Sequence, residues 1–261
     1  MTGAVAFFAR APCASVLPMG LRERWESQAA AWIAWARRPG HDSYDQFHRD
    51  QFFDLVPSPG KLTIDLGCGE GRVARDLLAR GHRVVAFDGS PTLVAAAREA
   101  TPPLDAHVAD AASLPLPDAC ADLVVSHMVL HDVDDLDGAA REIARVLEPS
   151  GRLCLAIVHP LNSAGRFEGS APDAPFRIEG SYLGSFDYAF HAERHGLSMV
   201  FHSRHRPLEA YFAAFAAAGL AVLTLREPAV PDAAATKPEA RRWQRVPLFL
   251  HMLARREEKG R

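Results

Sequence analysis

None of the four cysteines, Cys13, Cys68, Cys120 and Cys154, belongs to a CxxC pair, and they are scattered along the 261 residues. That spacing supports neither a zinc site nor a disulfide framework and fits a reduced, cytoplasmic protein. No apolar run approaches the ~18 residues of a membrane-crossing helix. The chain also lacks an excess of basic charge. Its formal net charge is -3, so no global field draws nucleic acid or anionic lipid. No internal repeat is found. The apolar opening, "MTGAVAFFARAPCASVLPMG", has no basic leading segment and is cut short by Arg10, so a signal peptide is not expected. Residues 1–20 read as a disordered extension that stability does not depend on, with Met19 as an alternative start.

What is present is an ordinary globular composition, 48% hydrophobic and 23% charged, at a length that suits one α/β domain with decorations. Trp25, Ala29, Trp32, Ile33 and Ala36 recur at helical spacing over 21–38, and Pro39-Gly40 stops the pattern. Ser43 and Gln46 suggest a capping box opening a second helix through Leu55, with Phe47, Phe52 and Leu55 apolar. These two helices form an N-terminal helical cap over 21–58.

From Lys61 strands alternate with helices. Strands are expected at 62–66, 83–88, 104–109, 121–127 and 152–158, and helices at about 71–80, 91–100 and 137–148. A turn at Glu148-Pro149-Ser150-Gly151 closes the third helix. The strands are nearly continuous apolar runs, as strands buried on both faces are. The fold class is α/β, a doubly wound and mostly parallel Rossmann-like sheet. Residues 160–206 break the rhythm and read as an inserted cap within a domain spanning 59–258. The cap holds seven of the chain's 22 aromatic residues, with five basic and five acidic side chains. Regular grammar resumes with a helix at 207–219 and strands at 220–225 and 246–255.

In the stretch "KLTIDLGCGEG" (61–71), the loop that follows the strand carries carboxylates and, beyond Lys61 ahead of the strand, no cation. A dinucleotide fingerprint needs a third glycine where Arg72 stands, and a P-loop needs Gly-Lys-Ser/Thr. Asp88 ends the second strand, where a carboxylate can accept both ribose hydroxyls. Asp110, followed by Ala111, ends the third, where it can accept from an exocyclic adenine amine. With Asp65 these carboxylates line one crevice, and the ligand is an adenosine that carries positive charge. S-adenosylmethionine fits.

"IDLGCGEG", "VVAFDGSPTLVAAARE", "VADAASLPLPDACADLVVSHMVLHDVDD" and "AAREIARVLEPSGRLCLAIVHP" resemble the class I S-adenosylmethionine-dependent methyltransferases. The small-molecule branch similar to ubiquinone/menaquinone-biosynthesis methyltransferases is the one they resemble. The likeness runs from about residue 60 to 160. It implies that Asp65, Gly67 and Gly69 hold the methionine part, with Cys68 contributing backbone only. It further implies Asp88 and Gly89 at the ribose and Asp110 and Ala111 at the adenine. Ser126 or His127 would receive the methionine ammonium through the backbone. Tyr44 and His48 lie on the second leading helix, which in similar enzymes folds over the cofactor.

Methyl transfer needs alignment and exclusion of water, and a base only where the acceptor carries a proton. His131, His159 and His48 are the candidate bases, in that order. "HDVDDLD" reads as the acidic first turn of a helix and not as a metal cluster. His127 and His131 lack the glutamate of HExxH, so no zinc hydrolase is expected. Residues 126–130, "SHMVL", depart from the Asn/Asp-Pro-Pro-aromatic tetrad of base methylation. The expected partner is a small, aromatic or hydrophobic metabolite, with no nucleic acid and no membrane, on a monomer or homodimer. A non-methylating binding protein of the same fold, in a regulatory role, is the alternative. A nicotinamide oxidoreductase ranks third.

Overall fold

Residues 10–11 and 19–258 are described by a computed structural model. The elements are β1 (Arg10–Ala11), α1 (Leu21–Ala36), a π-helical stretch Tyr44–His48, α2 (Arg49–Phe53), β2 (Thr63–Leu66), α3 (Arg72–Ala79) and β3 (Val84–Asp88). Then come α4 (Pro91–Arg98), β4 (Ala106–Val108), β5 (Ala121–His127), α5 (Leu136–Val146), β6 (Leu147–Val158), α6 (Pro160–Ala164), β7 (Gly165–Phe167) and β8 (Phe176–Ile178). The chain ends with β9 (Phe186–Arg194), β10 (Leu197–His205), α7 (Leu208–Ala217), β11 (Leu220–Arg226), α8 (Pro238–Arg241), a 3-10 turn and β12 (Phe249–Arg256).

Seven strands form one sheet in the order β11-β12-β6-β5-β2-β3-β4. β2 pairs in parallel with β3 and β5, and β12 runs antiparallel to β6 and β11. Side chains alternate across the sheet. Val124, Leu153 and Leu155 pack with Ile143 of α5 and Tyr211 and Phe215 of α7, while Leu123, Val125, Cys154 and Ala156 pack with Phe52, Val73 and Leu77. Such fully buried side chains contribute roughly 1.5–3 kcal/mol each. The strand order reverses between β2 and β5, so the crevice opens at their carboxyl ends.

Three expectations change. The Glu148–Gly151 turn does not end α5 in a loop; it bulges inside β6, where pairing jumps from Ala121↔Leu147 to Leu123↔Arg152. Ser150 takes φ 64 to make that bulge. The second leading helix opens with a π turn, Arg49 N–H donating to Tyr44 C=O, before α2. Ser43 makes no capping bond; Asp42 accepts from the Tyr44 N–H at 3.1 Å instead. The extension expected over 1–20 lies outside the described residues, except that Arg10–Ala11 pair with β9 and Met19-Gly20 lead into α1. Cys13 also lies outside them.

Residues 160–206 leave the sheet as α6, the β7–β8 hairpin and the long β9–β10 ribbon. Charge ties the ribbon to α1. Asp187 accepts from Arg24 at 3.2 Å and Arg204 at 2.6 Å, and Asp134 accepts from the Leu21 N–H at 3.0 Å. The Trp25 indole donates to His202 C=O at 3.0 Å. Hydrogen bonds to charged groups contribute about 1.5–3 kcal/mol each, less at the exposed end of this set. Among the described residues, no helix is long and apolar enough to cross a membrane.

Candidate active site

A cavity of ≈ 510 Å³ lies between the carboxyl ends of β2, β3 and β5, the helix α1 and the ribbon. Its floor is the glycine loop. Gly67 has φ 75, and a Cβ there would come within 2.2 Å of Val129. Gly69 has φ 57 and faces the Trp32 indole at 3.0 Å from where its Cβ would be. Gly71 has φ 92 and starts α3. These are backbone conformations that favour glycine. Met128, directly after β5, adopts φ 63 without being glycine, a strained turn at the crevice edge. Gly67→Ala is expected to destabilise the fold by about 2–4 kcal/mol, combining overpacking with left-handed strain. A urea midpoint unchanged from wild type would show that Val129 gives way freely.

The three strand-end aspartates differ in setting. Asp88 accepts from the Gly69 and Ser90 N–H groups, each at 2.8 Å, and so holds the loop in shape. Burial pushes its carboxyl up, against those two bonds. Asp110 is exposed at the cavity edge and accepts from the Ala112 N–H at 2.8 Å. Asp65 does not line the cavity. It sits behind the loop, takes the Ala74 N–H, and keeps Oδ2 without a partner among the described residues. Burial and then the Asp88 charge push its pKa up to about 7.

That shift has a sign. A carboxyl with a folded pKa near 7 and an unfolded value of 3.8 stabilises the fold fully below the lower value. The contribution fades as pH rises through the upper one. The ligand-free protein is therefore expected to lose melting temperature from about pH 4 to pH 7 relative to Asp65→Asn, by thermal scans. S-adenosylhomocysteine affinity should rise over the same window, since a cationic ammonium selects the ionised carboxylate. Parallel pH profiles for wild type and mutant would dismiss this reading.

The loop is not without a cation. Arg72, in the place of a third fingerprint glycine, lines the cavity, pairs with Asp42 at 2.7 Å, and lies over the Trp32 and Tyr44 rings. Its position directly after Gly71 was the available signal. Nothing in the sequence marked Asp42. Tyr44 lines the cavity while its hydroxyl donates to Asp76 at 2.6 Å. Cys68 is buried, and burial pushes its thiol well above the usual range, so it is chemically inert there.

The histidines separate sharply. His48 lines the cavity, but its Nε2 lies 2.7 Å from Nε2 of His251 and its ring stacks on Phe249. Burial drives His48 and His127 well below the ordinary imidazole value and His251 to about 4, so the three stay neutral. His159 does not line the cavity. Its Nδ1 accepts from the Leu161 N–H to cap α6, and its Nε2 lies 2.8 Å from Glu227. Ser126 is buried behind the wall, its hydroxyl unpartnered among the described residues. Gly89, Ala111, His127 and His131 do line the cavity. Burial and then Arg206 lower His131 to about 3, and its Nδ1 has no partner among the described residues. Asp135, in the acidic run, caps α5 by accepting from the Gly138 N–H at 2.8 Å. Among the described residues no group of three metal-ligating side chains forms.

The opposite wall is aromatic. Trp25, Trp32, Trp35, Tyr188, Phe190 and Phe201 line it. Phe201 meets the three tryptophans edge-on at 6.0–6.2 Å. The sequence pointed to Trp32 or Trp35 with cap aromatics, and the structure adds Trp25.

A seven-stranded sheet in which β12 alone runs against the others, and a glycine-floored crevice at the switch point, define the class I methyltransferase fold. The family described as "Methyltransferase domain" matches residues 64–155. A Mycobacterium tuberculosis protein named as an uncharacterized methyltransferase is 39% identical over 101 residues, 39% of this chain and 41% of that protein. A ubiquinone/menaquinone biosynthesis C-methyltransferase of Caulobacter is 36% identical over 124 residues, covering 42% of this chain and 49% of that one. The chain thus spans less than half the length of these curated relatives. An S-adenosylmethionine-dependent methyltransferase structure from Mesorhizobium loti superposes with TM-score 0.66 at 26% identity, over 79% of this chain and 96% of that one.

The residues present fit this cofactor. Cβ atoms at Gly67 and Gly71 would run into Val129 and Leu104, each within 2.2 Å, so the loop keeps its bare backbone at the cavity, and Asp65 leaves a buried carboxylate oxygen unpartnered beneath it among the described residues.

Proposed function

We propose that the chain methylates a small, aromatic or hydrophobic metabolite, using S-adenosylmethionine as donor. One observation carries this reading: a single cavity joins the glycine loop, Asp88 and Asp110 on one side to the Trp25, Trp32 and Phe201 wall on the other. When bound, the cofactor supplies an electrophilic methyl group on a sulfonium. The chain does the rest. Gly67 and Gly69 let backbone approach the methionine part, and Asp88 accepts from the ribose with the lone pairs that Gly69 and Ser90 leave. The field of Asp65 favours positive charge above the loop. The ribbon and α1 exclude water, which strengthens each of these interactions. His131, neutral by burial, is the group that can take a proton at Nδ1.

The test has two parts. Calorimetry should show S-adenosylhomocysteine binding, and labelled S-adenosylmethionine should pass its methyl to a member of an aromatic metabolite panel. Binding without transfer to any member would favour a regulatory protein, and no binding would remove the reading altogether.

A further inference from the structure

Beside His131 stands a carboxyl with no role in holding the donor. Asp132 lines the same cavity, with only 10% of its side chain exposed, and its Oδ1 lies 3.4 Å from Nε2 of His131. That contact is too poorly aligned to count as a hydrogen bond: Oδ1 of Asp132 and Nδ1 of His131 both lack a partner among the described residues. The Ser203 hydroxyl donates toward the same carboxyl, and Trp25, whose indole N–H goes to the His202 carbonyl, stands beside it, so it lies at the edge of the tryptophan wall. Behind the pair lies Arg206, a buried guanidinium whose hydrogen bonds go to the carbonyls of Leu130, Val133 and Asp134. Burial pushes the Asp132 carboxyl well above the usual carboxylate range, against the Ser203 hydroxyl and the Arg206 charge, so it is the arrival of a cation that favours its ionised form.

A carboxylate at the rim of packed indoles is the arrangement that recognises a cationic nitrogen, by charge-assisted hydrogen bonding and by the ring faces together. Other cations facing the cavity are engaged: Arg72 by Asp42 and Arg166 by Glu179, each at 2.7 Å. We propose that Asp132 selects an acceptor bearing a protonated amine, whose N–H it accepts, while the adjoining His131 removes the proton that blocks the nitrogen lone pair.

The inference rests on the methyltransferase reading and narrows its acceptor. Once the bound cation has ionised Asp132, the carboxylate 3.4 Å from Nε2 makes His131 a stronger base than in the ligand-free protein. The ammonium then gives one proton to His131 Nδ1, and the imidazolium so formed is balanced by that carboxylate. The freed lone pair then forms the N–CH3 bond as the S–CH3 bond breaks, its electron pair remaining on sulfur. The product leaves as a methylated ammonium, and His131 returns its proton to water.

Three probes share one ring and differ in head group: 2-phenylethylamine, 2-phenylethanol and phenylacetate. Titrated by calorimetry into the full chain loaded with S-adenosylhomocysteine, the amine is expected to bind at least tenfold tighter than either of the others. In Asp132→Asn the amine should fall to within about threefold of the alcohol, with S-adenosylhomocysteine affinity unchanged. Equal affinities, a preference for the acid, absence of amine binding, or an amine preference that survives Asp132→Asn each overturns the proposal. The wild-type ranking decides it alone if Asp132→Asn does not fold. Failure of S-adenosylhomocysteine to bind would count against the methyltransferase reading, and the amine ranking, repeated without it, would still decide this one.

Discussion

Asp88→Ala is expected to weaken S-adenosylhomocysteine binding by more than tenfold. Two effects combine in that loss. Each charged acceptor bond to a ribose hydroxyl contributes about 1.5–3 kcal/mol, and about 1.4 kcal/mol is a factor of ten. The same carboxylate also pins the Gly69 and Ser90 N–H groups, so its removal loosens the loop that the ligand needs in shape. Thermal stability should change little, because burial already opposes the Asp88 charge and its loss relieves that cost. Calorimetric affinities within twofold of wild type would take Asp88 out of the site.

His131→Ala should lower single-turnover methyl transfer by about 10²-fold while leaving cofactor affinity within twofold, the scale of one positioned base. The pH profile sharpens this. With its pKa held to about 3, His131 contributes no acidic limb between pH 5 and 8, so the mutant should be slower by a constant factor across that range. A slope in that window belongs to Asp65 and should persist in the mutant. Equal rates for wild type and mutant would leave His131 a packing residue. His159 does not inherit the role, since both its ring nitrogens face Leu161 and Glu227 outside the cavity.

Much of the fold was readable because strands buried on both faces must be apolar throughout, and their ends are marked by Asp65, Asp88 and Asp110. β2, β3 and β5 each fall within a residue of their expected limits. The bulge in β6 was not readable: Pro149-Ser150-Gly151 is turn chemistry, and only pairing against β5 shows that the strand resumes around it. The π turn at Tyr44 was hidden for a similar reason, since a helical period does not reveal one extra residue per turn. Within the site, spacing could place carboxylates at strand ends but not their depth. Asp65 lies behind the loop and Asp110 on the edge because α3 begins over the first and nothing covers the second. Arg72 was legible only as the wrong residue for a dinucleotide motif. His159 was read as an active-site edge, and spacing gave no sign of Glu227, 68 residues away, which lies 2.8 Å from its Nε2.

The cavity is also assembled from two parts of the chain. Its floor, from the glycine loop to Asp110, belongs to the span that matches the methyltransferase family, residues 64–155. Its far wall comes from α1 and the β9–β10 ribbon, which lie outside that span and are bound to each other through Asp187, Arg24 and Arg204. A sheet that must hold one unvarying donor is under tight constraint, whereas a ribbon hung beside it can change a side chain without disturbing a single strand of that sheet. Under the proposed function, a substitution in that ribbon can therefore alter the acceptor's wall and leave the donor's floor as it is. His131 and Asp132, the residues proposed to meet the acceptor, are carried on the floor's half, and any change in the wall has to remain compatible with them.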